Sequence, residues 1–300
     1  AALARFMRLF QAGQVDGMYF AVPTRSAATQ LHERVTRAVA RIFPDNAQRP
    51  PVVQAVPGYV KADDTEATRL PGFEVRWDDD IEHRGWAAET SKRYLAAPIA
   101  VGTIDQVLLS ALQASHAHMR AAALLRHFLV IDEVHASDVY MTAVTDRVLD
   151  QHLAAGGHAL LMSATLGASA RVHLATGGRG AEPSLDAAVD TAYPLVTHVD
   201  ATRASPETTH AASSGTQKTV APSLHPIADD PDALAAHAVE AARDGARVLV
   251  IRNLVDDCRA VQHALEAAAS DDADLLFGIR GTPAPHHSRF APDDRKGLDT

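Results

Sequence analysis

The sequence predicts an α/β protein of two lobes with parallel sheets. Three observations carry that prediction. Short runs of branched apolar residues alternate with stretches of helical periodicity along most of the 300 residues. The runs are apolar at consecutive positions, as in Phe128, Leu129, Val130 and Ile131, which suits strands buried on both faces of a sheet. Residues able to do chemistry stand where those runs end, and in an open α/β sheet that edge is where ligands bind.

The elements follow in order. Residues 2–12 have helical spacing, "GMYFAV" (17–22) is a strand, and 26–43 returns to helical spacing. The stretch 44–97 then loses the rhythm. It carries Pro44, Pro50, Pro51, Pro57, Pro71 and the acidic "WDDDIE", and reads as an insertion or long connection. "PIAVGT" (98–103) resumes as a strand and "IDQVLLSALQA" (104–114) as a helix. After the strand 128–131 come a helix over about 136–155 and a strand in "HALLMSAT" (158–165). The segment 177–224, rich in Gly, Ser, Thr and Ala, is the linker candidate, with a possible strand at 193–199. Beyond it lie a helix ended by Gly245, a buried strand "ARVLVIRN" (246–253), a helix over 255–269 and a strand in "ADLLFGI" (273–279). The expected division falls near residue 210, into a first lobe of 1–210 and a second of 211–300.

Composition excludes several classes. With 28 basic against 37 acidic residues the net charge is −9, so no global field draws the chain to nucleic acid and a basic-tail mechanism is out. A groove can still bind phosphates locally through amides and a few arginines. Cys258 is the single cysteine, which rules out an internal disulfide framework and a cysteine-only zinc site and fits a reducing cytoplasm. Its helix has apolar neighbours, the setting of a buried structural thiol. The N-terminal "AALARFMRLFQAG" is broken by Arg5 and Arg8 and lacks the apolar core of a signal peptide, and no stretch approaches membrane-spanning length. The histidine pairs "HAH" (116–118) and His286 with His287 have no ligand partners at zinc spacing and read as surface or capping residues.

Four short strings bear on function. In "FLVIDEVHASDVYM" (128–141) the strand ends on Asp132 and Glu133, with His135 two places on. Two adjacent carboxylates there suit a cation and a substrate, and suit a solvated turn or helix cap equally. "AVPTRSAATQL" (21–31) sets Pro23, Thr24 and Arg25 between strand and helix, where amides and a guanidinium can hold a phosphate, or where a threonine simply caps the helix. "VGTIDQ" (101–106) puts Gly102 and Thr103, and "LLMSATLG" (160–167) puts Ser163 and Thr165, at two further strand ends. Each string is weak alone. Together they set acids, hydroxyls and glycine at four successive strand ends.

In this combination the sequence resembles the DExH-box motors of helicase superfamily 2: "DEVH" followed by "SAT", with "PTR" and "GT" upstream. It resembles more closely the CRISPR-associated helicase-nucleases of type I systems, through "ASDVYM", "SATL", "RVLVIRNLVDDCRAVQHAL" (247–265) and "HHSRFAPDDR" (286–295). The resemblance implies RecA-like lobes, ATP and Mg2+ as cofactors, and an ATP-dependent single-stranded DNA motor working with an RNA-guided surveillance complex and a nuclease domain. It implies that Asp132 holds magnesium through water and Glu133 acts on the attacking water. His135 would couple them to Ser163, Ala164 and Thr165. Pro23, Thr24, Arg25, Gly102, Thr103, Ser288 and Arg289 would contact the nucleic-acid backbone. The sequence contains no G-x-x-x-x-G-K-[ST] phosphate loop and no His-Asp dipeptide. The resemblance therefore leads us to expect an internal fragment that starts just after the loop, stops before the arginine finger, and leaves the nuclease domain elsewhere. Another superfamily 2 motor, such as an RNA helicase or restriction motor subunit, and a non-enzymatic remnant are the alternatives.

Overall fold

The computed structural model describes the chain except residues 73, 78–81, 137–138, 192, 211–220, 271, 280, 288, 291–297 and 299–300, and it falls into two compact units, Ala1–Ser214 and Gly215–Thr300. The first unit begins with α1 (Ala2–Gln11), β1 (Gly17–Val22), α2 (Arg25–Ile42) and β2 (Val52–Ala55). Short strands β3 (Lys61–Ala62), β4 (Thr65–Glu66), β5 (Thr68–Arg69) and β6 (Val75–Arg76) precede α3 (Glu82–Gly85). Then come β7 (Ile99–Thr103), α4 (Ile104–Leu108), α5 (Ala117–Leu124), β8 (His127–Ile131), α6 (Val139–Ala154) and β9 (His158–Leu161). The unit ends with α7 (Ala168–Thr176), α8 (Leu185–Val189) and the antiparallel pair β10 (Leu195–His198) and β11 (Glu207–His210).

Seven strands form one sheet in the order β4-β3-β2-β7-β1-β8-β9, parallel from β2 to β9 and antiparallel at β3 and β4. Strands β1, β2, β7 and β8 are buried at every position, as consecutive apolar residues require when helices cover both faces. On one face Met18, Phe20, Val101 and Val130 meet Phe6 and Leu9 of α1 and Val35 and Val39 of α2. On the other, Tyr19, Val53, Leu129 and Ile131 meet Val107 of α4 and Val148 and Leu149 of α6.

The stretch 44–97 is not outside the sheet. Its segment Val52–Ala55 is a fully buried parallel strand beside β7. The prolines that hid it, Pro50, Pro51 and Pro57, lie just outside the strand, where a missing N–H costs no ladder bond. Asp63 accepts the Val52 amide at 2.9 Å and pairs with Arg84 at 2.7 Å, so the connection is bolted to the strand it contains. The helix expected over 104–114 stops at Leu108, and a separate helix, α5, follows. The strand expected over 158–165 stops at Leu161, which frees Ser163 and Thr165 from the ladder. The segment after 177 is partly packed down: the Arg203 side chain, 2% exposed, reaches Asp146 of α6 and the Leu174 carbonyl of α7.

The second unit contains α9 (Pro231–Arg243), capped by Asp230, then α10 (Val255–Ala268) and a two-residue antiparallel ladder of β12 (Gly278–Ile279) with β13 (Thr282–Pro283). The buried strand expected over 246–253 is not formed: Leu249 and Ile251 are 82% and 78% exposed. A strand exists through its neighbours' hydrogen bonds, and among the described residues of this unit none runs beside it. The strand expected over 273–279 is a 3-10 turn, Ala273–Leu275, followed by β12. The parallel sheet thus belongs to the first unit.

Candidate functional site

The register levels the carboxyl ends of the strands, Ala21 standing opposite both Gly102 and Ile131, and Ile131 opposite Leu161. Read across the edge, the strings therefore line up as Gly102–Thr103 at the end of β7, Pro23–Arg25 after β1, Asp132–Glu133 after β8 and Ser163–Thr165 after β9. Four strings spread over 143 positions become four neighbours, counting from Pro23 to Thr165.

Asp132 continues the ladder, its amide donating to the Ala21 carbonyl at 2.9 Å. Glu133 leaves it in the left-handed region, at φ +54, an unusual place for a residue with a side chain. Two hydrogen bonds hold the turn there: the Glu133 amide donates to Asp132 Oδ1 at 3.0 Å, and the Val134 amide to the Met162 carbonyl at 3.1 Å. His135 Nδ1 lies 2.7 Å from Ser163 Oγ and 3.2 Å from Glu133 Oε2. Ser163 Oγ also accepts the Thr165 amide at 3.2 Å. Glu133 Oε2 is shielded from water and makes no hydrogen bond among the described residues, so the contact with His135 is electrostatic and short of a formed bond. The result is one polar chain from Glu133 through His135 and Ser163 to Thr165. Ala164, between the two hydroxyls, is exposed.

The donor set suits a hard divalent cation. Magnesium keeps most of its waters and takes one or two carboxylates plus phosphate oxygens. Asp132 offers such a group, half-buried, with Oδ1 tied to the Glu133 amide and Oδ2 without a protein hydrogen bond among the described residues. Among the described residues no group of three or more His, Cys, Asp or Glu is arranged to hold a metal by itself.

On the other half of the edge the residues divide. Thr24 Oγ1 accepts the Ala27 amide at 3.1 Å and caps α2. Pro23 and Arg25 are exposed beside it. Gly102 and Thr103 are buried, and a Cβ on Gly102 would lie 2.3 Å from the Ala55 carbonyl oxygen. In the second unit Arg289 pairs with Asp256 at 3.2 Å, and Ser288 lies outside the described residues. Sequence reasoning passed over a groove of about 660 Å3 beside His135 and Thr165, lined by Val134, Leu166 and Leu174 and by the paired Asp146 and His173. Its walls, α6 and α7, meet only in space, and no local signal marks it. Tyr19 and Tyr94 were also passed over. Both are buried beneath the edge, and burial raises both hydroxyl pKa values, that of Tyr94 to about 12.

No family model matches the chain. The CRISPR-associated endonuclease/helicase Cas3 of Escherichia coli (strain K12) is 28% identical over 309 residues, covering 98% of this chain and 32% of that protein. The protein of the same name from Thermus thermophilus is 33% identical over 179 residues, 58% of this chain and 19% of its own. The chain thus spans a third or less of these curated relatives. The crystal structure of T. fusca Cas3-ATP superposes with a TM-score of 0.58 over 85% of this chain and 29% of that one at 23% identity, which establishes the RecA-like α/β fold. Among the described residues no helix is long and apolar enough to cross a membrane. By sequence the chain is similar to proteins named CRISPR-associated endonuclease/helicase Cas3, and it shares the fold of the T. fusca protein of that name.

Proposed function

We propose that the chain is part of an ATP-driven single-stranded DNA motor of type I CRISPR interference, acting in the cytoplasm. In this reading residues 1–210 are the first RecA-like lobe and 211–300 the start of the second. The motor works on a target opened by an RNA-guided surveillance complex and beside a nuclease domain outside these residues. The observation that carries the reading is the acidic pair just after β8 joined through His135 to Ser163 and Thr165 just after the next strand. The names of the relatives, endonuclease and helicase, and the ATP in the T. fusca crystal structure support it.

Asp132 would hold Mg2+ through water. When bound, the ion neutralises charge on the nucleotide phosphates. Glu133 orients the attacking water and takes its proton. Asp132 continues the ladder while Glu133 leaves it in the left-handed region, and in this reading the adjacent acids serve two tasks. His135 faces Glu133 and Ser163 at once, and a change at the carboxylate is felt at the Ser163–Thr165 loop. Arg25, Thr103 and the neighbouring backbone grip phosphates without reading bases, as a protein of net charge −9 must do locally. Residues 1–300 contain no G-x-x-x-x-G-K-[ST].

The test is Glu133→Gln in the full-length protein. Nucleotide affinity should stay within a fewfold of wild type, while DNA-stimulated hydrolysis falls by roughly 10^2–10^4-fold, the usual worth of a general base. Turnover close to wild type would remove Glu133 from the chemistry.

A further inference from the structure

We propose that Tyr19 is a positioning residue for the nucleic-acid grip, holding the Gly102–Thr103 loop from beneath; this rests on the functional reading above. Tyr19 sits in the middle of β1, fully buried, opposite Ala100 of β7. Its hydroxyl donates to the carbonyl of Thr103, three residues further along, at 3.0 Å. That carbonyl lies at the very end of the strand, so the bond ties down the loop and adds nothing to the ladder. A Cβ on Gly102 would lie 2.5 Å from the same hydroxyl, as well as 2.3 Å from the Ala55 carbonyl oxygen.

The two strand-to-helix turns that would face phosphate are fixed in different ways. On β1, Thr24 caps α2 with its own side chain, and its hydroxyl is spent on the Ala27 amide. On β7, Thr103 stands at the same place before α4 and makes no side-chain cap. The Tyr19 bond fixes the carbonyl of this turn from below, while the Thr103 hydroxyl, on a residue 5% exposed, is not spent on a cap. Phenylalanine would fill the same core volume, so packing alone does not call for the hydroxyl. Neighbouring groups extend the device. Tyr94 donates to the Val56 carbonyl at the end of β2 at 3.1 Å, and that strand's Ala55 packs against Gly102. Arg120, 5% exposed, reaches Gln106 of α4 at 3.2 Å.

The experiment uses the chain of residues 1–300 and a fluorescein-labelled oligothymidylate, with Kd from anisotropy and stability from the melting temperature. Tyr19→Phe should raise Kd about fivefold, the worth of one neutral hydrogen bond. Tyr94→Phe should raise it less. Val148→Ala, a core truncation under α6 that touches none of these loops, supplies a destabilised control whose Kd should stay within about twofold of wild type. Arg25→Ala tests the underlying reading. Weakening by Arg25→Ala with no change in Tyr19→Phe overturns the inference and leaves the reading standing. Equal weakening by Tyr19→Phe and Val148→Ala also overturns it, because the tyrosine is then merely structural. No binding by wild type, or none lost in Arg25→Ala, overturns the reading and the inference with it. Should Tyr19→Phe fail to fold, Tyr94→Phe against Val148→Ala decides in the same sense.

Discussion

Replacing Gly102 with alanine separates two reasons for a glycine at a ligand-facing turn. If glycine is there only to let a ligand approach, the free protein should tolerate a methyl group. The structure says otherwise. A Cβ at this position would lie 2.3 Å from the Ala55 carbonyl oxygen, 2.6 Å from the Ala55 Cβ and 2.5 Å from the Tyr19 hydroxyl. Ordinary carbon contacts need about 3.5 Å, so relief requires a shift of about 1 Å. Two of the three atoms belong to β2, which is hydrogen-bonded to β7 in the register Ala55 opposite Gly102, and the third is the hydroxyl of a fully buried side chain held by its bond to the Thr103 carbonyl. Overpacking of this kind costs about 1–3 kcal/mol, and the small gain from a stiffer unfolded chain offsets less than about 1 kcal/mol of it. For a unit of this size that is a fall of roughly 3–8 °C in melting temperature, measured by calorimetry without any ligand. An alanine variant melting within about 1 °C of wild type would refute the packing argument and return Gly102 to a purely ligand-facing role.

Thr24→Ala should cost about 1 kcal/mol in stability, because it leaves the first-turn amides of α2 uncapped, and chemical denaturation should read the loss with an unchanged slope. His32, His127 and His152 are buried among backbone carbonyls with their pKa values lowered, chiefly by desolvation. Above pH 6.5 they are neutral folded and unfolded; below it the unfolded chain takes up protons first, so stability should fall progressively from pH 6.5 toward their lower folded values. Replacing one of them with Gln should flatten that decline in a series of melting curves, and a decline of equal slope in the variant would exclude that histidine as a source.

The strands were legible where runs of consecutive apolar residues dominate, because burial on both faces writes itself into composition. That is why β1, β7 and β8 stand where the alternation puts them. Strand β2 was not legible, since Val52–Ala55 is four residues long and fenced by prolines that look like loop. Nor was the fate of 246–253 legible: "ARVLVIRN" has a strand's composition, and composition cannot say whether a neighbouring strand is present to receive its hydrogen bonds. The α4 boundary failed for a related reason, as periodicity runs on through "LSALQA" while the chain turns after Leu108.

The site shows the same division between what a string carries and what only the sheet supplies. Asp132, Glu133 and His135 are readable as a unit because they lie within four positions, but their link to Ser163, 28 positions from His135, exists only because β9 is placed beside β8. Once that neighbour is given, the chemistry of each residue constrains the others. A serine hydroxyl has one proton to give. Ser163 Oγ accepts the Thr165 amide, so toward His135 it either donates that proton or receives one from the ring. In the first case Nδ1 is bare and sets a lone pair against Glu133 Oε2; in the second the ring proton goes to the serine at 2.7 Å and faces the carboxylate, 3.2 Å from Nδ1, by electrostatics alone. Taking up a proton at Glu133 removes the negative charge that favours the second arrangement. The balance then tips toward the first, and the hydroxyl that holds the Thr165 amide turns with it. In the proposed motor a proton moved at the acidic pair would thereby turn the hydroxyl that holds the Thr165 amide, over one shared hydrogen bond and without any displacement of the sheet.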